Sequence, residues 1–284
     1  MRSPFKIVAK DAGAFLDSIP EGPVFDLTIT SPPYNIGKSY ERRMSLAEYL
    51  SWQGEIITRV ARRTKPWGSI CWQVGNHISG GGLEPLDAHL HPLFRRMGLV
   101  LRNRIIWTFG HGLHCKNRFS GRYEVILWYT KGAGYFFDLN AVRVPQKYPS
   151  KKYFKGPRAG ELSCNPLGKN PGDYWDDVWD NIPNVKSNHV EKTIHPCQFP
   201  VGLAERLVLA LCPPRGKVLD PFCGSGSTAV AALFHGREFV GCDTSEEYVR
   251  LARERAGRAA RGEERFRPHD LAIVQPQAMR GMAR

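Results

Sequence analysis

The run KVLDPFCGSGSTAVAALFHG, residues 217–236, narrows the choice of folds more than any other stretch of the chain. A short strand-like segment ends on an acid, Asp220, a turn with two glycines follows, and apolar residues then continue at helical spacing. Gly224 and Gly226 allow positive φ and leave no Cβ to obstruct a ligand lying against the backbone. A strand feeding such a turn and helix is the building unit of an α/β sheet with helices on its faces. About 20 residues further on, REFVGCD ends a second strand-like run on Asp243, a place from which a carboxylate takes both ribose hydroxyls of a nucleoside. A dinucleotide fingerprint would need a third glycine where this chain has Ala229, and a phosphate loop would need Gly-Lys-Ser/Thr, which is missing. The turn fits an adenosine-bearing cofactor without a pyrophosphate.

The remaining pattern alternates in the same way. FDLTIT (25–30), GSICWQVG (68–75), LVLRNRIIWTF (99–109) and YEVILWYTK (123–131) read as strands. SLAEYLSWQGEIITRVARRT (45–64) reads as a helix with Ser45 as N-cap, Glu48 three residues on, and a stop before Pro66. LDAHLHPLFRRMG (86–98), FPVGLAERLVLALC (199–212) and SEEYVRLARERAGRAARGEERF (245–266) supply further helices.

Residues 132–190 break the alternation. They hold QKYPSKKYFKGPRAG and NPLGKNPGDYWDDVWDNIPNVKSN, rich in Pro, Gly, Lys and aromatics. Long loop-dominated inserts in compact proteins tend to carry function. Basic residues interleaved with Tyr148, Tyr153, Phe154 and Trp175 suit contacts with phosphates and bases. The whole-chain charge agrees: 40 Lys and Arg against 27 Asp and Glu give a formal +13, which favours a polyanionic partner. Seven scattered cysteines without a CxxC pair read as reduced thiols of a cytoplasmic protein, not a disulfide frame or zinc site. The nine histidines show no ligand spacing, so no metal is expected, and His111 and His114 in FGHGLHCKNRF read as loop or DNA-facing. No apolar run approaches the roughly 20 residues of a membrane helix, and MRSPFKIVAKD lacks a signal-peptide core, so no membrane association is expected.

TSPPY (30–34) taken with DPFCGSG (220–226) resembles the DNA amino-methyltransferases, which use S-adenosyl-L-methionine to methylate adenine N6 or cytosine N4. NPGDYWDDVWDNIPNV and HPCQFPVGLAERLV (195–208) are similar to the same family, so the likeness spans most of residues 5 to 255. The order of parts, with catalytic tetrapeptide first, basic segment central and cofactor turn last, resembles the β group, a circular permutation of the usual methyltransferase order. The resemblance implies a Rossmann-like methyltransferase fold with a mixed seven-stranded sheet. Residues 1–131 would form its catalytic half, 132–190 a target-recognition region, 191–262 the cofactor half, and 263–284 a tail. Double-stranded DNA is the implied partner, and a homodimer is an implied assembly, since β-group enzymes are often dimers. The implied setting is the cytoplasm of a bacterial, archaeal or phage-infected cell; the recognition sequence and any cognate restriction nuclease are not legible.

Within this family the target amino nitrogen is a poor nucleophile, because its lone pair is delocalised into the ring. Two acceptors on its N–H groups would free that lone pair for in-line attack on the sulfonium methyl. Ser31 Oγ and the Pro32 carbonyl can supply them, with Pro32 and Pro33 fixing the direction of that carbonyl in advance. Tyr34 would stack on the base, flipped from the duplex at a cost of a few kcal/mol. Positioning and electrostatics carry such a mechanism, so no Ser/His/Asp triad is sought. Asp220, Phe222, Cys223, Gly224, Ser225, Gly226 and Asp243 form the expected cofactor turn, with Phe222 packed on the cofactor. By resemblance Asp11 contacts the cofactor's adenine, a helix N-cap being its alternative role, and His195, Gln198 and Phe199 flank the methionine end.

Two cues to the target base disagree. A leading serine in the tetrapeptide is commonly associated with cytosine N4, whereas the longer run TSPPYNIGKSYE resembles β-group adenine enzymes; the sequence preference is adenine N6. A non-catalytic DNA-binding protein on the same fold and a methyltransferase acting on RNA or protein stay open as rivals.

Overall fold

The computed structural model describes residues 3–37, 43–79, 81–110, 112, 114–176, 182–186 and 189–266. The chain runs through β1 (Phe5–Ala9), α1 (Ala12–Asp17), β2 (Phe25–Thr30), α2 (Leu46–Arg63) and β3 (Thr64–Val74). A hairpin of β4 (Asn76–Ser79) and β5 (Gly82–Pro85) leads into α3 (Leu86–Arg96), β6 (Val100–Thr108) and β7 (Tyr123–Thr130). After a long stretch whose described residues include a short 3-10 turn (Asn140–Val142) and β8 (Tyr174–Trp175), the order is α4 (Val201–Leu211), β9 (Lys217–Asp220), α5 (Ser227–Phe234), β10 (Glu238–Asp243) and α6 (Glu246–Ala260).

Eight strands form one sheet in the order β1-β10-β9-β2-β3-β7-β6-β8. Strands β1, β10, β9, β2 and β3 are mutually parallel, and β7 runs antiparallel to both β3 and β6. The expected seven strands become eight because Tyr174 and Trp175 add a two-residue parallel edge beside Ile106 and Trp107. Every residue of β2 is buried, as befits a central strand covered on both faces. One face packs against α1, α2 and α3 through Phe15, Tyr49, Ile56, Leu90 and Phe94; the other packs against α4, α5 and α6 through Leu203, Leu207, Val230 and Ala252. Helix α2 opens as its sequence predicts: Ser45 Oγ accepts from the Glu48 amide while Glu48 Oε2 accepts from the Ser45 amide, a complete capping box.

Three features depart from the sequence reading. Strand β1 lies beside β10 at the far edge, so the first strand of the chain joins the cofactor side of the sheet. Strand β3 starts at Thr64, directly after α2, because an irregular register between Phe25 and Leu27 absorbs Pro66. Gly68 is required there, since a Cβ would lie 2.9 Å from the Asp26 carbonyl oxygen. The expected tail is anchored at its start by Glu264, which takes Arg255 at 2.8 Å and Arg258 at 2.6 Å; residues 267–284 lie outside the described residues.

Candidate active site

Parallel strands deliver their C-terminal ends to one edge of the sheet, which is where ligands of such folds bind. Here β2 ends at Thr30, β9 at Asp220 and β10 at Asp243, and the antiparallel β7 brings its first residues to the same edge. The loops that follow enclose a cavity of about 560 Å³, within the range of small-molecule sites. Among its lining residues are Asp11, Ser31, Pro32, Pro33, Tyr34, His195, Gln198, Phe199, Phe222, Cys223, Gly224, Ser225 and Asp243. The two sequence motifs, nearly 200 residues apart by number, therefore face one space.

The tetrapeptide is held from several sides. Ser31 Oγ lies 2.9 Å from the Tyr34 hydroxyl, which donates to Glu124 Oε2 at 3.1 Å. Tyr49 of α2 donates to the Pro33 carbonyl at 3.0 Å, while among the described residues no donor reaches the Pro32 carbonyl. Asn35 turns the chain back in the left-handed region, φ 57°, and its amide bonds both the N–H and the carbonyl of Met44. Burial pushes the Tyr34 phenol well above its ordinary value, with Glu124 adding to the effect, so this hydroxyl keeps its proton.

Asp220 differs from its expected role. It lies beneath the cavity rather than on it, fully buried, because its two oxygens are needed to tie the motifs together. Oδ1 accepts from Thr30 Oγ1 at 2.7 Å and from the Phe222 amide at 3.1 Å; Oδ2 accepts from Thr228 Oγ1 at 2.8 Å. The residue before Ser31 is thus bonded to the base of the glycine turn. Burial raises the Asp220 carboxyl from 3.8 to about 7, against the pull of these three bonds. Gly226 also stays off the cavity: its φ of 81° and the approach of Ala252, 3.0 Å from a Cβ placed there, make it a packing glycine.

The glycine turn itself forms a cradle. Gly224 has φ 48°, and a Cβ there would sit 2.9 Å from His195 Nε2. Its amide donates to Asp243 Oδ2 at 3.0 Å, and the Ser245 amide donates to Oδ1 at 2.9 Å. Burial raises the Asp243 carboxyl, opposed by these amides. His195 packs edge-on to Tyr248 at 4.6 Å, and burial together with Lys192 lowers it to about 4, so it is neutral near pH 7. Phe222 presents its ring edge-on to Trp52 at 5.6 Å. Asp11 takes the N-cap alternative, Oδ1 capping α1 through the Ala14 amide at 3.0 Å, and the residue also lines the cavity. The Gln198 amide is committed to its own segment, accepting from Thr193 and donating to the Glu191 carbonyl, and Ser227 fixes the Phe199 carbonyl at 2.8 Å.

Glu124, Gln73 and Trp52 also line the cavity, although sequence reasoning did not single them out. The legible signal for Glu124 is an acid one residue into the otherwise apolar strand YEVILWYT. The expectation for Trp175 is corrected: it is 5% exposed, its indole donates to the Gly172 carbonyl, and the Arg206 guanidinium lies 4.9 Å over its ring. Edge pairing makes it core, not a base-stacking platform. Tyr148, Tyr153 and Phe154 are exposed as expected, and so is His114; His111 and Trp179 lie outside the described residues.

A mostly parallel α/β sheet with a glycine cradle and a Pro-Pro turn on one cavity defines the class as a methyltransferase fold. The comparisons narrow it. A family model described as DNA methylase, of the N6/N4 type, matches residues 25–254. The type II methyltransferase M.BglII of Bacillus subtilis is 49% identical over 248 residues, 87% of this chain and 67% of that protein. The DNA adenine methyltransferase YhdJ of Escherichia coli K12 is 32% identical over 254 residues, 88% of this chain and 81% of that one. Among solved structures, the cytosine-N4-specific PvuII DNA methyltransferase superposes with a TM-score of 0.68 at 21% identity, over 92% of this chain and 94% of its own. A Thermus thermophilus protein solved complexed with S-adenosyl-L-methionine gives 0.62 at 26% identity, over 91% and 95%. The chain belongs to the N6/N4 DNA methylase family.

Proposed function

We propose that this chain transfers a methyl group from S-adenosyl-L-methionine to the exocyclic amino nitrogen of a base flipped out of double-stranded DNA. The observation that carries the proposal is the shared cavity: Ser31 and Pro32 line the same space as Gly224, Asp243 and Phe222. The residues present fit the cofactor. Gly224 leaves room where a Cβ would press on His195, Asp243 and Asp11 offer carboxylates at the ends of β10 and β1, and Phe222 offers an aromatic edge. When bound, S-adenosyl-L-methionine supplies an electrophilic methyl on a sulfonium.

The chain's own residues do the rest. Ser31 and the Pro32 carbonyl accept hydrogen bonds from the two amino N–H groups and hold the nitrogen lone pair towards the cofactor side, a preorganised arrangement that costs no reordering during reaction. Tyr34 stacks the base with the part of its ring that meets the cavity. Neutral His195 adds no positive charge beside a sulfonium. Duplex DNA is supported as substrate by the formal +13 and by the loop between β6 and β7, where exposed Lys116 and Arg118 precede a Phe119 that is 98% exposed. Residues 132–190, with exposed Tyr148 and Phe154 among lysines, are the proposed target-recognition region.

For the base, Ser31 at the reacting centre favours cytosine N4. Adenine N6 is the second reading, supported by the 32% identity to an enzyme named as a DNA adenine methyltransferase. Labelled methyl transfer to unmodified duplex DNA, with single-stranded RNA as competitor, tests the proposal. Label in duplex DNA that RNA does not compete away supports it; cofactor binding without transfer to DNA contradicts it.

A further inference from the structure

Glu124 stands on the cavity with a carboxyl that no cation balances among the described residues. Its Oε2 accepts from Gln73 Nε2 at 2.6 Å and from the Tyr34 hydroxyl at 3.1 Å, and that hydroxyl is 2.9 Å from Ser31 Oγ. Three elements meet to make the line: β7 supplies Glu124, β3 supplies Gln73, and the loop after β2 supplies Tyr34 and Ser31. Gly75 lets it close, because a Cβ there would lie 3.0 Å from Tyr34 Cε2 and 3.8 Å from Glu124 Cγ.

A tyrosine hydroxyl has one proton to give. While Glu124 is ionised, Tyr34 gives it to the carboxylate and must then accept from Ser31. Ser31 Oγ is left with its lone pairs free for a substrate N–H. A neutral group at position 124 no longer compels that direction: its own O–H or N–H can donate to Tyr34, whose proton then turns to Ser31 and occupies one of those lone pairs.

We propose that Glu124 is a positioning residue that acts through Tyr34 to fix Ser31 as an acceptor and that takes up the proton released by the methylated amino group. The inference rests on the amino-methyl transfer proposed above. Methylation leaves the nitrogen with four bonds and a positive charge. Its N–H bond then breaks to form O–H on Ser31, the Ser31 proton passes to the Tyr34 oxygen, and the Tyr34 proton passes to the Glu124 carboxylate. The products are a neutral methylamino base and a neutral carboxylic acid, which returns its proton to solvent before the next turnover. Tyr34 and Gln73 are the groups that face Glu124, and Tyr49 of α2 stands beside Tyr34. Burial raises the Glu124 carboxyl, while its bonds to Gln73 and Tyr34 hold it down, which suits a group that alternates between the two states.

Single-turnover methyl transfer to duplex DNA, measured across pH for wild type, Glu124→Gln, Tyr34→Phe and the double variant, tests the relay. Glu124→Gln is expected to lower the rate about 100-fold, leave cofactor and DNA affinities within about threefold, and abolish the acid limb of the wild-type profile. The double variant is expected to be no slower than the worse single variant, because a relay fails as a unit. Tyr34→Phe carries the same readings if Glu124→Gln unfolds. Wild-type turnover or an unchanged acid limb in these variants, or losses that multiply, would overturn the relay alone. Absence of transfer by the wild type would overturn the functional reading and the relay with it.

Discussion

Replacing Asp220 by Asn separates a structural carboxyl from a cofactor ligand. The side chain is fully buried, and burial lifts it from 3.8 to about 7. A carboxyl raised on folding contributes stability that is fully present below 3.8 and lost as pH climbs through about 7. The slope in that window is about 1.4 kcal/mol per pH unit, which gives a loss of about 3 kcal/mol between about pH 5 and pH 8. Asn matches the protonated acid in shape: its oxygen keeps the bonds from Thr30 and the Phe222 amide, and its NH₂ meets Thr228 with that hydroxyl reversed. Asp220→Asn is therefore expected to be the more stable protein across this range, and its lead should widen by roughly 3 kcal/mol, or roughly 6–10 °C in a melting experiment, between about pH 5 and about pH 8. S-adenosyl-L-methionine affinity should be retained, because Asp220 lies below the cavity. A gap between the two proteins that stays constant with pH refutes the buried-acid argument. Loss of cofactor affinity would return Asp220 to the cofactor's first contacts.

Ser31→Ala removes one of two acceptors while Tyr34 keeps its bond to Glu124, so turnover should fall about 10²- to 10³-fold with DNA and cofactor binding retained, as read by rapid-quench transfer and by titration. Gly224→Ala must adopt φ 48° and press on His195 Nε2 at 2.9 Å; calorimetry should show weaker cofactor binding, and the fold should lose about 1–2 kcal/mol. Lys116→Ala with Arg118→Ala should reduce the slope of log DNA affinity against log salt by about 2 while cofactor affinity holds. A slope unchanged from wild type would remove that loop from the DNA interface.

The sequence was most legible where one local rule decides the structure. The βα unit at 217–234 follows from a strand, two glycines and an apolar helix; α2 follows from Ser45 and Glu48, whose side chains make both bonds of the cap. The Ser-Pro-Pro-Tyr tetrapeptide and the glycine turn could be paired because each carries a recognisable order of residue types. What stayed hidden depends on contacts between distant segments. Strand β1 is set by pairing with β10, more than 200 residues away by number, and no local pattern announces that partner. Trp175 among basic residues looks like a stacking platform until Ile106 and Trp107 claim its strand as an edge and Arg206 covers its ring. Asp220 shares its motif with true cavity residues, yet Thr30 and Thr228 turn it inward. Glu124 and Gln73 reach the site only because β7 runs against β3, and sequence alone does not fix that direction.

The most direct measurement is nucleoside mass spectrometry of unmodified genomic DNA after incubation with the protein and S-adenosyl-L-methionine. The account predicts a new exocyclic N-methyl base, N4-methylcytosine by the lead that Ser31 gives. N6-methyladenine would keep the mechanism and overturn that lead. No methylated base, with cofactor bound in the same sample, would contradict the claim that this cavity methylates DNA.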